Sequence, residues 1–439
     1  MNCRPMNCRQ MNRRRFLLAP ALALPLRAAP AISVLDFGAN PDGVALNTQA
    51  LQRAIDACGK QGGGVVTFPA GRYVSGTILL QDGVTLRLES GATLLGSTNL
   101  ADYRTLDDFR DGTGAPMGYC FVGAVDRARV GITGPGTVDG RGKQVLDARG
   151  PADKSKRPFL ARFLRCTGVT LDNVQLQQAA AWCVHFFQCR DVTATRVRIT
   201  SHAGSNNDGF DIDSCQTVRI ANCDIDTGDD AICLKTTSPQ PCRDIEIRDC
   251  RLKSNCAAIK CGTESVGDFE DIRIASCRIL SAGLAGIKLL TVDGAALRRV
   301  TVSDITMDAG RVAVFLRLGA RLKTFRPGDE KRATGTLKGV TIRNLRATVE
   351  SPGILISGVP GHPVEDVTFE NVEIRLPGGG VKSEQAVPEV EAAYPEIRMF
   401  GPNLPAYGLY ARHVRNLKVG GITFTLAQPD ARPERIVED

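Results

Sequence analysis

Aromatic side chains are scarce in this chain of 439 residues, at 5% with a single tryptophan. Sparse aromatics suit an all-β fold better than a helical one. No internal apolar run approaches the roughly 18 residues that cross a bilayer, which excludes a membrane-spanning helix. No cysteine pair has the tight C-x-x-C spacing of a zinc site. No zinc finger, basic helix or other nucleic-acid module is visible. The formal net charge of +8 therefore reads as a solvated basic surface or as attraction to an acidic polymer. With nucleic-acid modules missing, an anionic polysaccharide or oligosaccharide is the better partner. What is abundant is glycine, 45 residues, which suits an all-β fold with many turns.

The middle and end of the chain repeat a β-branched alternation followed by a polar turn. The phrase begins at Val169, Val192, Val218, Ile245, Ile272, Val300, Val340 and Val367, in steps of 23, 26, 27, 27, 28, 40 and 27 residues. Alternation buries one face of each strand. The Asn, Asp or Ser near the end of the phrase marks a turn. A propeller blade needs about 40 residues, so these units are too short for one. One coil of a right-handed, single-stranded parallel β-helix fits. The longest step holds an insertion around Arg321–Thr334, of the kind that walls a groove. Thr48–Cys58 reads as a short amphipathic helix with Leu51, Ile55 and Cys58 on one face. It would cap the open first coil, whose strand edges are otherwise unpaired. A C-terminal cap is expected from about residue 378, where the repeat fades.

Residues 1–29 read as an export signal: a charged segment, a short apolar segment, then small residues. Arg13-Arg14-Arg15-Phe16-Leu17 resembles a twin-arginine signal, whose cargo crosses already folded. The true start is expected at Met11, since the preceding residues repeat Met-Asn-Cys-Arg. The protein is thus expected outside the cytoplasm, periplasmic or secreted, as one catalytic domain over 30–439. Two of the 15 cysteines, Cys3 and Cys8, fall in the leader. The thirteen that remain are an odd number, and most recur inside strand segments. They read as small buried core residues.

Two acidic clusters stand out, Asn206-Asn207-Asp208 and Gly228-Asp229-Asp230. Asp208 and Asp229 are 21 residues apart, close to one coil, which puts them about 4.8 Å apart on one face. Asp229 and Asp230 both reach that face only if Gly228 introduces a bend. Crowded carboxylates raise the pKa of at least one, which stays protonated as a general acid. Another stays ionised and activates water, the pairing that glycoside hydrolysis needs. A calcium site and plain turn structure are the rival readings of the same acids.

These motifs resemble glycoside hydrolase family 28, the polygalacturonases and rhamnogalacturonan hydrolases. The family's N-T-D appears as Asn206-Asn207-Asp208, and its G/Q-D-D as Gly228-Asp229-Asp230. Asp208-Gly-Phe-Asp-Ile-Asp-Ser-Cys215 is similar to the bacterial exo-acting branch. The resemblance implies an inverting, exo-acting hydrolase of pectic substrates without a cofactor or metal. Asp229 would be the acid, with Asp208 and Asp230 activating water. The family's Gly-His-Gly falls at Cys256-Ala257-Ala258, and its Arg-Ile-Lys at Gly286-Ile287-Lys288. Their loss implies weak action on unbranched polygalacturonate and better action where a neutral sugar adjoins the bond. Asn206, His202, Lys260, Glu264, Lys288 and Arg317 are the candidate substrate-binding residues, with Lys260 or Lys288 gripping an acidic group. Arg321 is a further candidate, and Tyr394, Tyr407 and Tyr410 could stack on sugars or pack the tail. His185 reads as a core residue. A β-helix lyase or epimerase, with Lys260 or Lys288 as base, is the alternative enzyme; a non-catalytic carbohydrate-binding solenoid is the alternative non-enzyme.

Overall fold

The computed structural model describes residues 31–149, 156–382 and 386–438; the leader lies outside them. The eight repeated phrases stack in register. Val169 lies beside Val192, then Val218, Ile245, Ile272, Val300, Val340 and Val367 on successive coils, all in parallel pairing. All eight side chains are buried. Identical phrases stack because a β-branched residue on one coil presents the same shape to the coil above.

Each central coil feeds three parallel ladders. The first carries that column. The second runs through Arg198–Ser201, Asp224–Thr227 and Arg251–Ser254. The third runs through Val184–Phe187, Phe210–Asp213, Ile232–Thr236 and Ala257–Ser265. Parallel strands joined by such crossovers wind right-handed, and the molecule is a right-handed parallel β-helix around one apolar column. The polar end of the phrase makes the turn: Asn173, Asn222, Asp249, Ser276, Asp304, Asn344 and Asn371 have φ between 52° and 57°. Short side chains that bond locally tolerate this left-handed backbone.

The N-terminal helix spans Thr48–Lys60, slightly longer than expected. Leu51, Ile55 and Cys58 are fully buried, and the helix covers the first coil. The thirteen described cysteines are free thiols, all buried except the half-buried Cys256.

The tail differs from the cap expected after residue 378. Ile397, Phe400, Leu404 and Ala406 pack on the outside of the third ladder, against Phe315, Leu355 and Tyr410. The solenoid then resumes: Leu409–Arg412 pairs with Ile354–Ser357, and Ile422–Leu426 with Val364–Leu376. Arg435–Glu438 adds a further rung. These rungs escaped the repeat because their strands are only 4 or 5 residues long.

Two excursions rise beside the third ladder. Arg104–Arg110 and Pro116–Val125 form an antiparallel hairpin. Residues 319–335 form the expected insertion, without helix or strand. The two meet at Arg326, whose guanidinium lies 3.8 Å from the Phe187 ring centre and 2.8 Å from Asp107. Hairpin, insertion and tail wall one stretch of the third ladder.

Candidate active site

Asp229 and Asp230 lie between the strands Asp224–Thr227 and Ile232–Thr236, in the bend that begins at Gly228. Leaving the pleat there frees both from pointing to opposite faces, and both line one cleft. The register pairs Phe210 with Ile232, so Asp208 sits beside Asp230 rather than beside Asp229. The Gly209 N–H donates to the Asp230 carbonyl at 2.9 Å. Carboxylate oxygens of Asp208 and Asp230 lie within 4.8 Å of each other, as do those of Asp229 and Asp230. All three acids border an inner recess of about 30 Å³. It adjoins a cavity of about 570 Å³ that Asp229 and Asp230 also line.

The loop before Asp208 is held by Asn207. Its side chain accepts from the Gly204 N–H at 2.6 Å and donates to the carbonyls of Ala179 and Ala181. Asn206 turns the other way, with φ 56°. It lines the cleft and accepts from Arg157 at 3.0 Å.

Lysines set the charge of the acids. Asp211, Cys233, Lys260 and Lys288 occupy one register position on successive coils. The Lys260 ammonium lies 2.6 Å from Asp230 Oδ2, and the Ala257 N–H donates to Oδ1 at 3.0 Å. Burial pushes Asp230 up, but Lys260, then Lys288 and Lys235, outweigh it and hold its pKa below the ordinary value. Lys235 sits 3.4 Å from Asp211, 3.4 Å from Glu264 and 3.6 Å from Asp208. Its ammonium also lies 4.2 Å from the Trp182 ring centre. Asp208 is nonetheless pushed well up, by burial and then by Asp211 and Asp229. Asp229 is raised by burial and by its neighbour Asp230. Of the three motif acids, one is thus kept ionised between two that favour the proton. Asp229 faces the open cavity; Asp208 is only 2% exposed.

Asn206, Asp208, Asp229, Asp230, Lys260 and Glu264 come together as the sequence implied. Three expected binding residues do not join them. His202 pairs with Asp226 at 2.7 Å on the second ladder, outside the cleft lining. Lys288 is buried and covered by Glu396 of the tail at 2.8 Å. Arg317 is 1% exposed, and its guanidinium donates to Ser357 Oγ and to the carbonyls of Gly358 and Val390. The tail packs over that region, a contact no local pattern announced. Lys260 is inside the site, but its ammonium serves Asp230 rather than standing free for a substrate.

Among the tyrosines, Tyr394 lines the cleft, while Tyr410 is buried with its hydroxyl on Glu438 and Tyr407 packs against Phe424. Arg321 is bound to Asp293 at 2.5 Å. His185 is a satisfied core residue, stacked on Phe159 and bonded to Arg162 and Asp213. Lys235, Trp182 and Asp211 were not identified from the sequence. Lys235 was detectable, since it lies one coil beyond Asp213 in an otherwise apolar strand.

Comparison with known proteins accords with this geometry. The description "Glycosyl hydrolases family 28" matches residues 58–394. The chain is 31% identical over 219 residues to a probable polygalacturonase of Vitis vinifera, covering 47% of this chain and 45% of that one. It is 28% identical over 249 residues to an exo-poly-alpha-D-galacturonosidase of Dickeya chrysanthemi, covering 46% and 41%. The chain spans about half the length of the curated relatives it matches. The family 28 exopolygalacturonase of Yersinia enterocolitica shares the fold, with a TM-score of 0.74, 20% identity and coverage of 94% of this chain and 78% of that one. The match spans both acidic motifs and most of the coils that carry them, and the chain belongs to the glycosyl hydrolases of family 28.

Proposed function

We propose that this protein hydrolyses glycosidic bonds of an acidic pectic polysaccharide or oligosaccharide, from a chain end and with inversion. The observation that carries the reading is the contrast between Asp229 and Asp230 in one bend. Asp229 favours its proton and faces the open cavity, so it protonates the departing sugar oxygen. Asp230 stays ionised and deprotonates the attacking water, which Asp208 helps to hold. Water attack from that side gives one displacement and an inverted product.

The close approach of Asp229 and Asp230 resembles the roughly 5 Å spacing of retaining pairs more than the wider inverting one. The engagement of Asp230 favours inversion all the same. Both its oxygens already accept hydrogen bonds, from Ala257 and Lys260, which suits a base better than a nucleophile that must form a covalent bond. Walls from hairpin, insertion and tail around the cleft support action at a chain end. The lyase alternative loses its base, since Lys260 is bound to Asp230 and Lys288 to Glu396. Among the described residues no helix is long and apolar enough to cross a membrane. The leader supports export, and thirteen free thiols accord with folding in a reducing compartment before export.

The test is a screen of defined pectic oligosaccharides with product analysis by NMR. New reducing ends of inverted configuration, lost in Asp229→Asn with folding intact, are expected. An active Asp229→Asn variant, a retained product or an unsaturated product absorbing in the ultraviolet would overturn the reading.

A further inference from the structure

The cations close to the acids all have partners. Lys260 pairs with Asp230, Lys288 with Glu396, and Arg321 with Asp293. Lys323 donates to the Gly112 carbonyl at 3.5 Å. Two cleft-lining guanidiniums differ, Arg311 and Arg398. Among the described residues neither has an ion-pair partner, and they come from different segments. Arg311 is the second residue of the strand Gly310–Leu318; Arg398 lies in the tail's short helical turn Ile397–Phe400.

Register places Arg311. Ile232 pairs with Ile259, Ala257 with Ala285 and Ala285 with Val312. Asp229, Cys256, Leu284 and Arg311 therefore follow one another on successive coils. At about 4.8 Å per coil, the Arg311 backbone lies about 14 Å along the axis from that of Asp229. We infer that Arg311 and Arg398 form a clamp for a substrate carboxylate, displaced along the helix axis from the acids that break the bond. A guanidinium binds a carboxylate through two parallel N–H donors, and here two such groups line one cavity. Glu396 lines it as well, but Lys288 neutralises it. A clamp at this distance leaves the sugar next to the broken bond free to be neutral and holds a uronate further along.

This inference rests on the pectic reading above, and the experiment separates the two. Arg311→Ala, Arg398→Ala and the double variant are compared on oligosaccharides of one length with free or methyl-esterified carboxylates. Losing one charge-assisted pair corresponds to about tenfold or more in binding. Each single variant should raise KM on the free acid by about that factor and lower the preference for acid over ester to match. The double variant should do more, with little change in kcat on the acid. Equal losses on acid and ester, or an unchanged KM, would overturn the clamp while leaving the hydrolase standing. If the parent chain cleaves no pectic substrate, the hydrolase reading fails. The clamp is then read by calorimetric titration of a de-esterified oligogalacturonide into Asp229→Asn. Binding weakened about tenfold by Arg311→Ala supports it, and unchanged binding overturns it. Thermal melting of each variant checks that the fold is retained.

Discussion

Replacing Lys260 by methionine tests how the site keeps one carboxylate charged. The Lys260 and Asp230 side chains are 7% and 2% exposed, with 2.6 Å between charged atoms. Unit charges 4 Å apart attract by about 4 kcal/mol at an effective dielectric constant of about 20. Removing one partner of a buried pair costs about 3–5 kcal/mol, because the other is left buried and uncompensated. Lys288 and Lys235 also favour its charged form, so its pKa should rise on loss of Lys260 while part of the stabilisation remains. The direction follows from linkage. A carboxyl whose folded pKa is depressed adds stability above its unfolded value, about 3.9, and loses it as pH falls through the folded one. Lys260→Met should therefore be less stable than the parent at neutral pH, with the gap closing as pH falls below the ordinary carboxylate range. If Asp230 is the base, the acid limb of kcat/KM moves to higher pH and kcat falls at mildly acidic pH. Urea unfolding at neutral pH and at about pH 4, with a pH profile on a cleaved oligosaccharide, reads both effects. An unmoved acid limb, or a rise in KM alone, would refute the argument and return Lys260 to the role of a substrate grip.

Other perturbations have equally definite outcomes. Arg317→Ala should cost about 2–4 kcal/mol in chemical denaturation with little direct effect on KM, since it strands the buried Ser357 hydroxyl and Gly358 carbonyl and the half-buried Val390 carbonyl outside the cleft. Ile272→Ala removes a side chain from the middle of the stacked column and should destabilise by about 2–5 kcal/mol in urea unfolding. Burial pulls the His185 ring down to about 4, so it is neutral in the fold at neutral pH. The unfolded chain takes up that proton first as pH falls from about 6.5, and roughly 3 kcal/mol of stability is lost by about pH 4. His185→Phe should flatten that part of the stability curve, measured by denaturation across the range.

The repeat made the coil legible because it is local. One β-branched phrase with a polar end is enough to define a buried strand and its turn, and identical phrases stack on themselves. The two acidic motifs were legible for the same reason, since their spacing is about one coil. Gly228 even announced the bend that lets neighbouring acids share a cleft. The tail was less legible, because its rungs are short and follow an irregular stretch that shows no period.

The sequence alone thus determined the solenoid, its N-terminal helix, its groove-walling insertion and the three carboxylates. Only the tertiary structure decided what surrounds them. Lys288 looked like a substrate ligand until Glu396, 108 residues away, proved to cover it. Arg317 looked exposed until the tail packed over it, and Lys260 looked free until Asp230 turned toward it from the coil below. The physical reason is that periodicity reports which face a residue takes, whereas the partner of a charged group is chosen by whichever distant segment comes to lie across that face.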